Sequence, residues 1–234
     1  MKIALLGYGK MGKVIERIAL ERGHEIVLRK SSASTYDGLK KADVAIDFSI
    51  PDSAVCNIKQ CFDTNVPVVC GTTGWLEHYN EMVSLCEAKN GGFIYGSNFS
   101  LGVNIFFELN DYLAKMMSKF NQYKVSMEEI HHTQKLDAPS GTAISLAKDI
   151  IENSEYTGWT LENPTENDIH IDAKRIENVP GTHSVFYDSS VDQIEIKHTA
   201  HNREGFALGA VIAAEWLANK KGVFTMKDVL NLDR

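Results

Sequence analysis

Residues 3 to 12 read Ile3-Ala4-Leu5-Leu6-Gly7-Tyr8-Gly9-Lys10-Met11-Gly12, a short apolar run followed at once by a glycine pattern. Apolar side chains then recur with helical spacing at Met11, Val14 and Ile18 until Gly23 interrupts them. In a GxGxxG between a strand and a helix, the first glycine permits a tight turn and the second lets the backbone approach a pyrophosphate. The third brings the helix close to the strand, and the helix N-terminus offers free N–H groups to phosphates. This stretch therefore predicts a dinucleotide site lined by Gly7 to Gly12, with glycines that only shape a turn as the alternative.

The chain shows two different patterns of apolar residues. Up to Tyr95, short apolar runs alternate with helical stretches, which is typical of a parallel sheet with crossover helices. Strands are predicted there at 3–6, 25–28, 44–48, 66–70 and 93–95, with helices at 10–22, at 51–62 and up to about 89. After Phe99 one long helix, at about 102–119, precedes strands that have no crossover helices between them. These strands are predicted at 124–130, 169–175, 184–187 and 193–198, before helices at 206–218 and 226–230.

These patterns predict an α/β protein of two domains. An N-terminal Rossmann-type parallel sheet comprises residues 1–100 plus 205–234, because the last helices can pack back on the first domain. A second α+β domain, residues 101–204, is built on a mixed or antiparallel sheet and serves substrate binding and oligomerisation. We expect a hinge near 98–102, with the return crossing near 202–205.

The composition excludes several classes of function. The net charge of −7 arises from interspersed acidic and basic residues without a Lys/Arg block, so no nucleic-acid partner is expected. The N-terminal apolar run is too short for a signal peptide, and no apolar run approaches a membrane span. Four cysteines form no CxxC pair and are predicted to be buried and reduced: Cys56, Cys61, Cys70 and Cys86. We therefore expect a cytoplasmic protein with no membrane partner.

The end of the second predicted strand bears on the choice of cofactor. An NAD-selective site has an acidic residue there, which binds the ribose hydroxyls. This chain reads Leu28-Arg29-Lys30-Ser31-Ser32 and has no carboxylate at that point. Arg29 and Lys30 could hold the 2′-phosphate of NADP, and Ser31 could donate a further hydrogen bond. The stretch predicts use of NADPH at least as readily as NADH, with a solvated basic pair as the alternative.

The most informative stretch lies between a predicted strand end and a helix start. It reads Glu129-Ile130-His131-His132-Thr133-Gln134-Lys135-Leu136-Asp137-Ala138-Pro139-Ser140-Gly141-Thr142-Ala143. The N–H groups and hydroxyls at the helix start can bind a carboxylate, and Lys135 and the histidines add positive charge and proton transfer. The stretch therefore predicts a site for a dicarboxylate that is protonated during the reaction.

The histidine pair has two other interpretations. His131 and His132 could be metal ligands, but neighbours on a strand point to opposite faces and no HExxH or Cys/His cluster supports them. No metal site is therefore predicted. Purely structural histidines are the second alternative.

The segment from Glu129 to Ala143 is similar to the hallmark E-x-H-H-x-x-K-x-D-A-P-S-G-T-A of the 4-hydroxy-tetrahydrodipicolinate reductase family. Other segments of that family occur in the same order over nearly the whole chain: the GxGxxG with Met11, Gly71-Thr72-Thr73-Gly74, Asn98-Phe99-Ser100-Leu101-Gly102-Val103-Asn104, and Asp228-Val229-Leu230. Unlike longer members, this chain has a compact region after the second strand and no acidic residue there.

The resemblance implies roles for individual residues. His131 would be the general acid, and Lys135 would stabilise developing negative charge and help to hold a small cyclic dicarboxylate. The substrate carboxylates would be bound by His132, Ser140, Gly141 and Thr142. The cofactor, NADPH or NADH or both, would be lined by Gly7 to Gly12, by Gly71, Thr72 and Thr73, and by Gly96, Ser97, Asn98 and Phe99.

The resemblance also implies a reaction and an assembly. Hydride would pass from the dihydronicotinamide to a conjugated imine formed as the substrate hydroxyl leaves as water, giving tetrahydrodipicolinate on the route to diaminopimelate and lysine. His131 would donate the proton, because an imidazole with a pKa of about 6.5 is substantially protonated near neutral pH. The assembly would be a homotetramer built through the second-domain sheet.

Two competing functions make different demands on the sequence. Another Rossmann enzyme, such as an amino-acid or semialdehyde dehydrogenase, would keep the glycine loop but lack the HHxxKxDAPSGT segment. A non-catalytic dinucleotide-sensing protein would need no general acid, so His131 and Lys135 argue against it. His198, His201 and Arg203 could orient the substrate or be structural, and the sequence does not separate these roles.

Overall fold

The structure is a computed structural model that describes residues 1–202 and 204–232. Its strands are β1 (Lys2–Leu6), β2 (Glu25–Lys30), β3 (Val44–Asp47), β4 (Val68–Cys70), β5 (Gly92–Tyr95), β6 (Lys124–His131), β7 (Gly158–Thr160), β8 (Asp168–Arg175), β9 (Gly181–Asp188), β10 (Gln193–Ala200) and β11 (Gly222–Phe224). Its helices are α1 (Lys10–Glu21), α2 (Pro51–Asp63), α3 (Tyr79–Ala88), α4 (Leu101–Met117), α5 (Gly141–Glu152), α6 (Glu204–Leu217) and α7 (Met226–Leu230). The chain forms two compact units, Met1–Asn104 with Glu204–Arg234, and Ile105–Arg203.

The first unit contains a six-stranded parallel sheet in the order β11-β5-β4-β3-β1-β2. Its inner strands β1, β3, β4 and β5 are mostly apolar because both faces of the sheet are covered by helices. One face packs its side chains, such as Leu5 and Ile46, in a core with residues of α1 and α6. The other face packs residues such as Leu6 and Phe93 in a core with residues of α2 and α3. The predicted Rossmann-type sheet is thus confirmed, and β11 adds an edge strand that the sequence pattern did not predict.

Helix α6 belongs to the first unit although it follows the second unit in the chain. Its residues are almost all apolar or small, and its alanines are buried in the core that contains Leu5 and Ile46. A Cβ atom at Gly209 would lie 1.6 Å from the carbonyl oxygen of Phe99, so only glycine allows this approach of helix and backbone. Helix α6 thus packs back on the sheet of the first unit.

The second unit contains a five-stranded mixed sheet in the order β10-β9-β6-β8-β7. Strand β6 lies in the middle, antiparallel to β9 and parallel to β8. The expectation of strands without crossover helices was wrong here, because α5 lies between the parallel strands β6 and β8. One face of the sheet packs against α4 and α5, with Val125 and Met127 of β6 buried among leucines and alanines of the two helices. Along β6 burial alternates, and the buried positions continue from Val125 and Met127 to Glu129 and His131. The strand therefore directs two ionisable side chains towards the helix-covered face.

Three smaller observations bear on the sequence predictions. Strands β7 and β11 have three residues each and were not predicted, because so few residues show no clear alternation. Cys61, Cys70 and Cys86 are buried as predicted, but Cys56 is exposed on α2, beside the hydroxyl of Tyr36. Among the helices of the described residues, none has the length and apolar character needed to cross a membrane.

Candidate active site

The glycine loop after β1 has one open position between two crowded ones. Gly7 has a φ of 95°, and a Cβ atom there would lie 2.1 Å from the carbonyl oxygen of Phe48. A Cβ atom at Gly12 would lie 2.3 Å from the carbonyl oxygen of Gly7. A Cβ atom at Gly9, by contrast, would have no atom within 4 Å. Gly7 and Gly12 are thus required by the fold, and Gly9 leaves the space that a bound pyrophosphate would need.

A cavity of about 290 Å³ lies beside this loop, at the carboxyl ends of β1, β2 and β3. Ligands of open α/β sheets bind at this edge. The cavity is lined by Gly7, Gly9, Lys30, Ser31, Ser32, Ser49, Ile50, Ser53 and Asn57. The glycine backbone and Lys30 fit the phosphate groups of a dinucleotide, so these residues can hold part of such a cofactor.

The structure separates the two basic residues that the sequence places together. Successive residues of a strand point to opposite faces, and Lys30 lines the cavity while Arg29 does not. The Nε atom of Arg29 donates a hydrogen bond of 2.6 Å to Glu16 of α1, and the hydroxyl of Tyr8 also donates to Glu16. These hydrogen bonds, the one from Arg29 above all, lower the pKa of Glu16. The sequence prediction missed Glu16 because it sought a carboxylate only at the end of β2.

Lys30 is held at the edge of the cavity by its own loop. Its Nζ atom donates to the carbonyl oxygens of Ser31 and Ser34, at 3.2 and 3.1 Å. The same Nζ atom lies 4.6 Å from the centre of the Tyr36 ring, within the range of a cation–π contact. Lys30 is therefore positioned before any ligand binds.

The loop after β4 was predicted to line the cofactor at Gly71, Thr72 and Thr73. Thr72 is buried, and its hydroxyl donates to a carboxylate oxygen of Asp47 at 2.7 Å while accepting from the Ser49 N–H at 2.8 Å. Burial raises the pKa of Asp47, and the hydrogen bond from Thr72 opposes this rise. The Thr72 side chain thus joins the ends of β3 and β4, a structural task that the sequence did not indicate.

The segment Gly96 to Phe99 follows β5 at the same edge of the sheet. The side-chain oxygen of Asn98 accepts a hydrogen bond from the Ser100 N–H at 2.9 Å and so shapes the turn into α4. Phe99 is buried, and its ring lies 5.8 Å from that of Phe48. The fold therefore brings the three predicted cofactor segments, after β1, β4 and β5, to one edge of one sheet.

In the second unit, the centre of the candidate site is His131 at the end of β6. It is 8% exposed, and its ring lies edge-on to that of His183, with ring centres 5.0 Å apart. The Nδ1 atom of His131 lies 3.7 Å from an oxygen of Glu129 and makes no hydrogen bond. The same oxygen is 3.7 Å from Nε2 of His183. Sequence reasoning missed His183, which comes from β9, some fifty residues along the chain from His131.

Ser140 forms the N-cap of α5 beneath this pair. Its hydroxyl accepts a hydrogen bond from the Ala143 N–H at 3.2 Å and lies 3.1 Å from Nε2 of His183. Its own N–H donates to Glu129 at 2.9 Å. The polar groups of Ser140 are thus engaged within the protein, whereas a Cβ atom at Gly141 would have no atom within 4 Å. The open side of this helix N-terminus is at Gly141 and Thr142, where an anion can approach.

Lys135 and His132 flank the histidine pair. The Nζ atom of Lys135 donates to both carboxylate oxygens of Asp137, at 2.7 and 2.8 Å. His132 lines a cavity of about 450 Å³ together with Thr133, Gln134, Glu177, Asn178, Val179, Pro180 and Asn202. His131 is not among these lining residues, in agreement with the expectation that the two histidines point to opposite faces.

The surroundings of His131 favour its neutral form. Burial lowers the pKa of His131, and the nearby Glu129 carboxylate opposes this effect. Burial, together with the neighbouring His131, lowers the pKa of His183 to about 4. Burial would raise the pKa of Glu129, but hydrogen bonds from Ser140 and nearby positive charge outweigh it and keep the pKa low. These directions differ from the sequence-based expectation of a protonated His131 near neutral pH.

Glu129, His131 and His183 also have the spacing of a metal-binding group. Their three donor atoms lie within 4.8 Å of one another. However, one oxygen of Glu129 accepts from the Ser140 N–H, and the other accepts from Nη2 of Arg175 at 3.1 Å. A guanidinium on the carboxylate opposes a second cation there, so we interpret the group as a cluster of ion pairs and hydrogen bonds rather than as metal ligands.

The residues near the return crossing have different environments. His198 on β10 lies beside the ring of Phe106, with ring centres 6.1 Å apart, and burial lowers its pKa. His201 is exposed. Arg203, for which the sequence left a substrate-orienting role open, lies outside the described residues.

Known proteins resemble this chain over its whole length. Two family models match it, dihydrodipicolinate reductase, N-terminus, at residues 1–99 and dihydrodipicolinate reductase, C-terminus, at residues 102–230. The 4-hydroxy-tetrahydrodipicolinate reductase of Christiangramia forsetii is 57% identical, with 99% of this chain and 98% of that protein covered. The enzyme of the same name from Archaeoglobus fulgidus is 34% identical, with 98% of this chain and 100% of that protein covered.

Solved structures agree with this assignment at the level of the fold. A dipicolinate-bound dihydrodipicolinate reductase from Paenisporosarcina sp. TG-14 has a TM-score of 0.75 at 24% identity, with 96% of this chain and 97% of that chain covered. An engineered D-amino acid dehydrogenase bound to NADP+ has a TM-score of 0.56 at 13% identity, with 100% and 97% covered. The resemblance inferred from residues 129–143 is thereby confirmed, and the chain belongs to the dihydrodipicolinate reductase family.

Proposed function

We propose that this protein reduces 4-hydroxy-tetrahydrodipicolinate to tetrahydrodipicolinate in the biosynthesis of diaminopimelate and lysine. The observation that carries the proposal is the buried His131 beside the open helix N-terminus at Gly141 and Thr142. A proton donor next to an anion site is what the reduction of a dicarboxylate requires. The name of the 57% identical relative supports the same substrate.

The substrate carboxylates would bind at the start of α5 and in the loop before it. The first N–H groups of a helix have no partner within the helix, so those at Gly141 and Thr142 are suited to one carboxylate. The hydroxyl of Thr142 can add a hydrogen bond. Lys135 and His132 would bind the second carboxylate. The Nζ atom of Lys135 would then donate to the substrate instead of to Asp137.

The nicotinamide dinucleotide would be held by the first unit. One edge of its sheet carries the three predicted cofactor segments, Gly7 to Gly12, Gly71 to Thr73 and Gly96 to Phe99. The open space at Gly9 fits a pyrophosphate. When bound, the dihydronicotinamide supplies the hydride that reduces the conjugated imine. The remaining chemistry, which is proton transfer and charge stabilisation, belongs to the side chains of the second unit.

His131 would deliver the proton from its Nε2 atom. The Nδ1 atom faces Glu129, so Nε2 is the nitrogen left for the substrate. A Cβ atom at Gly181 would lie 3.2 Å from Nε2, and glycine at this position keeps that nitrogen uncovered. Burial favours neutral His131, but a bound dicarboxylate adds negative charge nearby and raises the pKa of the imidazole. Substrate binding would therefore favour the protonated form of His131.

For the cofactor, we propose that NADPH is used at least as readily as NADH. Lys30, Ser31 and Ser32 line the cavity beside the glycine loop and can bind a 2′-phosphate. Arg29 is paired with Glu16, so we assign the phosphate to Lys30 and not to Arg29, in contrast to the sequence-based expectation of a joint role.

We also propose a homotetramer in the cytoplasm, as the resemblance implies. The face of the second sheet that points away from α4 and α5 supports this assembly. Ser126 of β6 lies in register with His170 of β8 and Phe186 of β9, so these side chains form a continuous strip on that face. A broad sheet face of this kind is suited to pairing with a second copy of the chain.

One assay separates the proposed function from its alternatives. The purified protein is mixed with freshly generated 4-hydroxy-tetrahydrodipicolinate and either NADPH or NADH, and the loss of dihydronicotinamide absorbance is followed. The proposal expects turnover with this substrate. A dinucleotide-sensing protein would bind the cofactor without turnover, and an amino-acid or semialdehyde dehydrogenase would oxidise its own substrates instead. Either result would contradict the proposal.

A further inference from the structure

We propose that Glu129 is a positioning residue, which together with His183 holds the acid His131 and the anion-binding start of α5 as one unit. The inference rests on the proposed function, in which His131 is the proton donor. Neither Glu129 nor His183 carries a role in the reaction as described so far.

The carboxylate of Glu129 lies in an apolar part of the second unit. This carboxylate is 0% exposed, on the inner face of β6 where Val125 and Met127 form the core. A buried carboxylate is costly unless several partners compensate for the loss of water, and a purely apolar residue would fill the position at lower cost. A side chain with this cost calls for a task beyond packing.

Each partner of the Glu129 carboxylate comes from a different structural element. Ser140 before α5 donates its N–H at 2.9 Å, and Arg175 at the end of β8 donates from Nη2 at 3.1 Å. His131 lies two residues further along β6, with Nδ1 at 3.7 Å. His183 of β9 lies directly opposite Glu129 in the strand register, with Nε2 at 3.7 Å. One carboxylate thus contacts every element that forms the site.

These contacts fix the end of the loop that leads into α5. Arg175 donates to the carbonyl oxygen of Asp137 at 2.6 Å in addition to Glu129. Ser140 is held by Glu129 through its N–H and by His183 through its hydroxyl. The distance between the acid and the carboxylate site therefore depends on Glu129 and His183, and a displacement of about 1 Å lowers the rate of an oriented reaction strongly.

The negative charge of Glu129 acts on the pKa of His131. The titratable and charged groups that act on His131 are Glu129 from β6, Arg175 from β8, His183 from β9, and Lys135 and Asp137 from the loop, while His198 of β10 acts on His183. Burial, Lys135 and Arg175 all lower the pKa of His131, and Glu129 is the main group that opposes them. Without this charge, the imidazole would lose its proton at a lower pH.

The test compares Glu129→Gln with Glu152→Gln. Glutamine keeps the shape of residue 129 and removes its charge, so the pKa of His131 should fall by about one unit or more. This shift is measured by NMR titration of the imidazole without substrate, and the alkaline limb of the kcat profile should move in the same direction. Glu152 is an exposed residue at the far end of α5, paired with Lys148, and its variant should keep the wild-type titration and kcat.

His183→Leu tests the link to α5. It should raise the KM for substrate by about tenfold and change kcat less, because the hydrogen bond to the Ser140 hydroxyl is lost while the charge at Glu129 remains. Glu129→Asp keeps the charge and shortens the side chain, so it should keep the His131 titration and lose kcat.

An unchanged His131 titration in Glu129→Gln, or unfolding of both Glu129 variants, would show a structural ion pair only and overturn the proposal. Absence of turnover in the wild-type protein would contradict the proposed function instead, and the NMR titration would still test the position of Glu129.

Discussion

Replacing Lys30 by alanine is expected to weaken NADPH binding about tenfold and to leave NADH binding nearly unchanged. Lys30 lines the cavity beside the glycine loop and is already held there by two carbonyl oxygens, at 3.2 and 3.1 Å, so little ordering is needed when a phosphate binds. A hydrogen bond between charged groups contributes about 1.5 to 3 kcal/mol. The half-buried position and the loss of the two carbonyl contacts favour the lower value, and about 1.5 kcal/mol corresponds to roughly a tenfold change in Kd.

The assay is a titration of the purified variant with each dinucleotide, by calorimetry or by dihydronicotinamide fluorescence. Arg29→Ala is the matched control on the opposite face of β2. It removes the partner of Glu16 and should weaken both dinucleotides by a similar small factor, since the unpaired carboxylate would act on the shared pyrophosphate. A Lys30→Ala variant that loses both cofactors equally, or an Arg29→Ala variant that selectively loses NADPH, would refute the assignment of the 2′-phosphate to Lys30.

The other predictions concern the acid, the anion site and the glycine loop. His131→Ala and Lys135→Ala should each lower kcat by about 10²-fold or more with cofactor affinity retained, and near-normal steady-state turnover in both would refute their roles. Thr142→Val should raise the KM for substrate by an amount equivalent to about 1 to 3 kcal/mol, whereas an unchanged KM with a lower Tm would show a structural residue. Gly12→Ala should lower the free energy of unfolding by about 1 to 3 kcal/mol because its Cβ atom would lie 2.3 Å from a carbonyl oxygen. Gly9→Ala should keep that free energy and lose dinucleotide affinity, and equal stability losses in the two glycine variants, measured by denaturant titration, would contradict the account of the loop.

Local patterns were enough to predict the elements and the cofactor loop. The apolar run from Ile3 to Leu6, the spacing of the glycines and the helical stripe after them act over neighbouring residues, so the sequence alone contains the information. The same holds for the N-cap at Ser140. The strands β7 and β11 were missed because three residues do not establish a period.

The cluster around His131 could not be predicted because the register of three strands creates it. His183 and Arg175 meet β6 only when β9 and β8 pair with it at the observed positions. The burial of Glu129 could have been predicted from the sequence, because the alternation that buries Val125 and Met127 continues to Glu129 and His131. The pairing of Arg29 with Glu16 likewise depends on how α1 packs beside β2, which no spacing of residues in the sequence expresses.

The late position of α6 has a consequence for synthesis on the ribosome. Strands β1 to β5 and helices α1 to α3 are complete once residue 95 has been made, but the sheet face that carries Leu5 and Ile46 also needs the alanines of α6. These alanines emerge more than a hundred residues later, after the entire second unit. During that interval the nascent chain exposes a partly uncovered apolar sheet, which is the kind of surface that aggregates or recruits chaperones. The second unit is thus synthesised before the first unit is complete, and the core of the first unit forms fully only when α6 packs on its sheet.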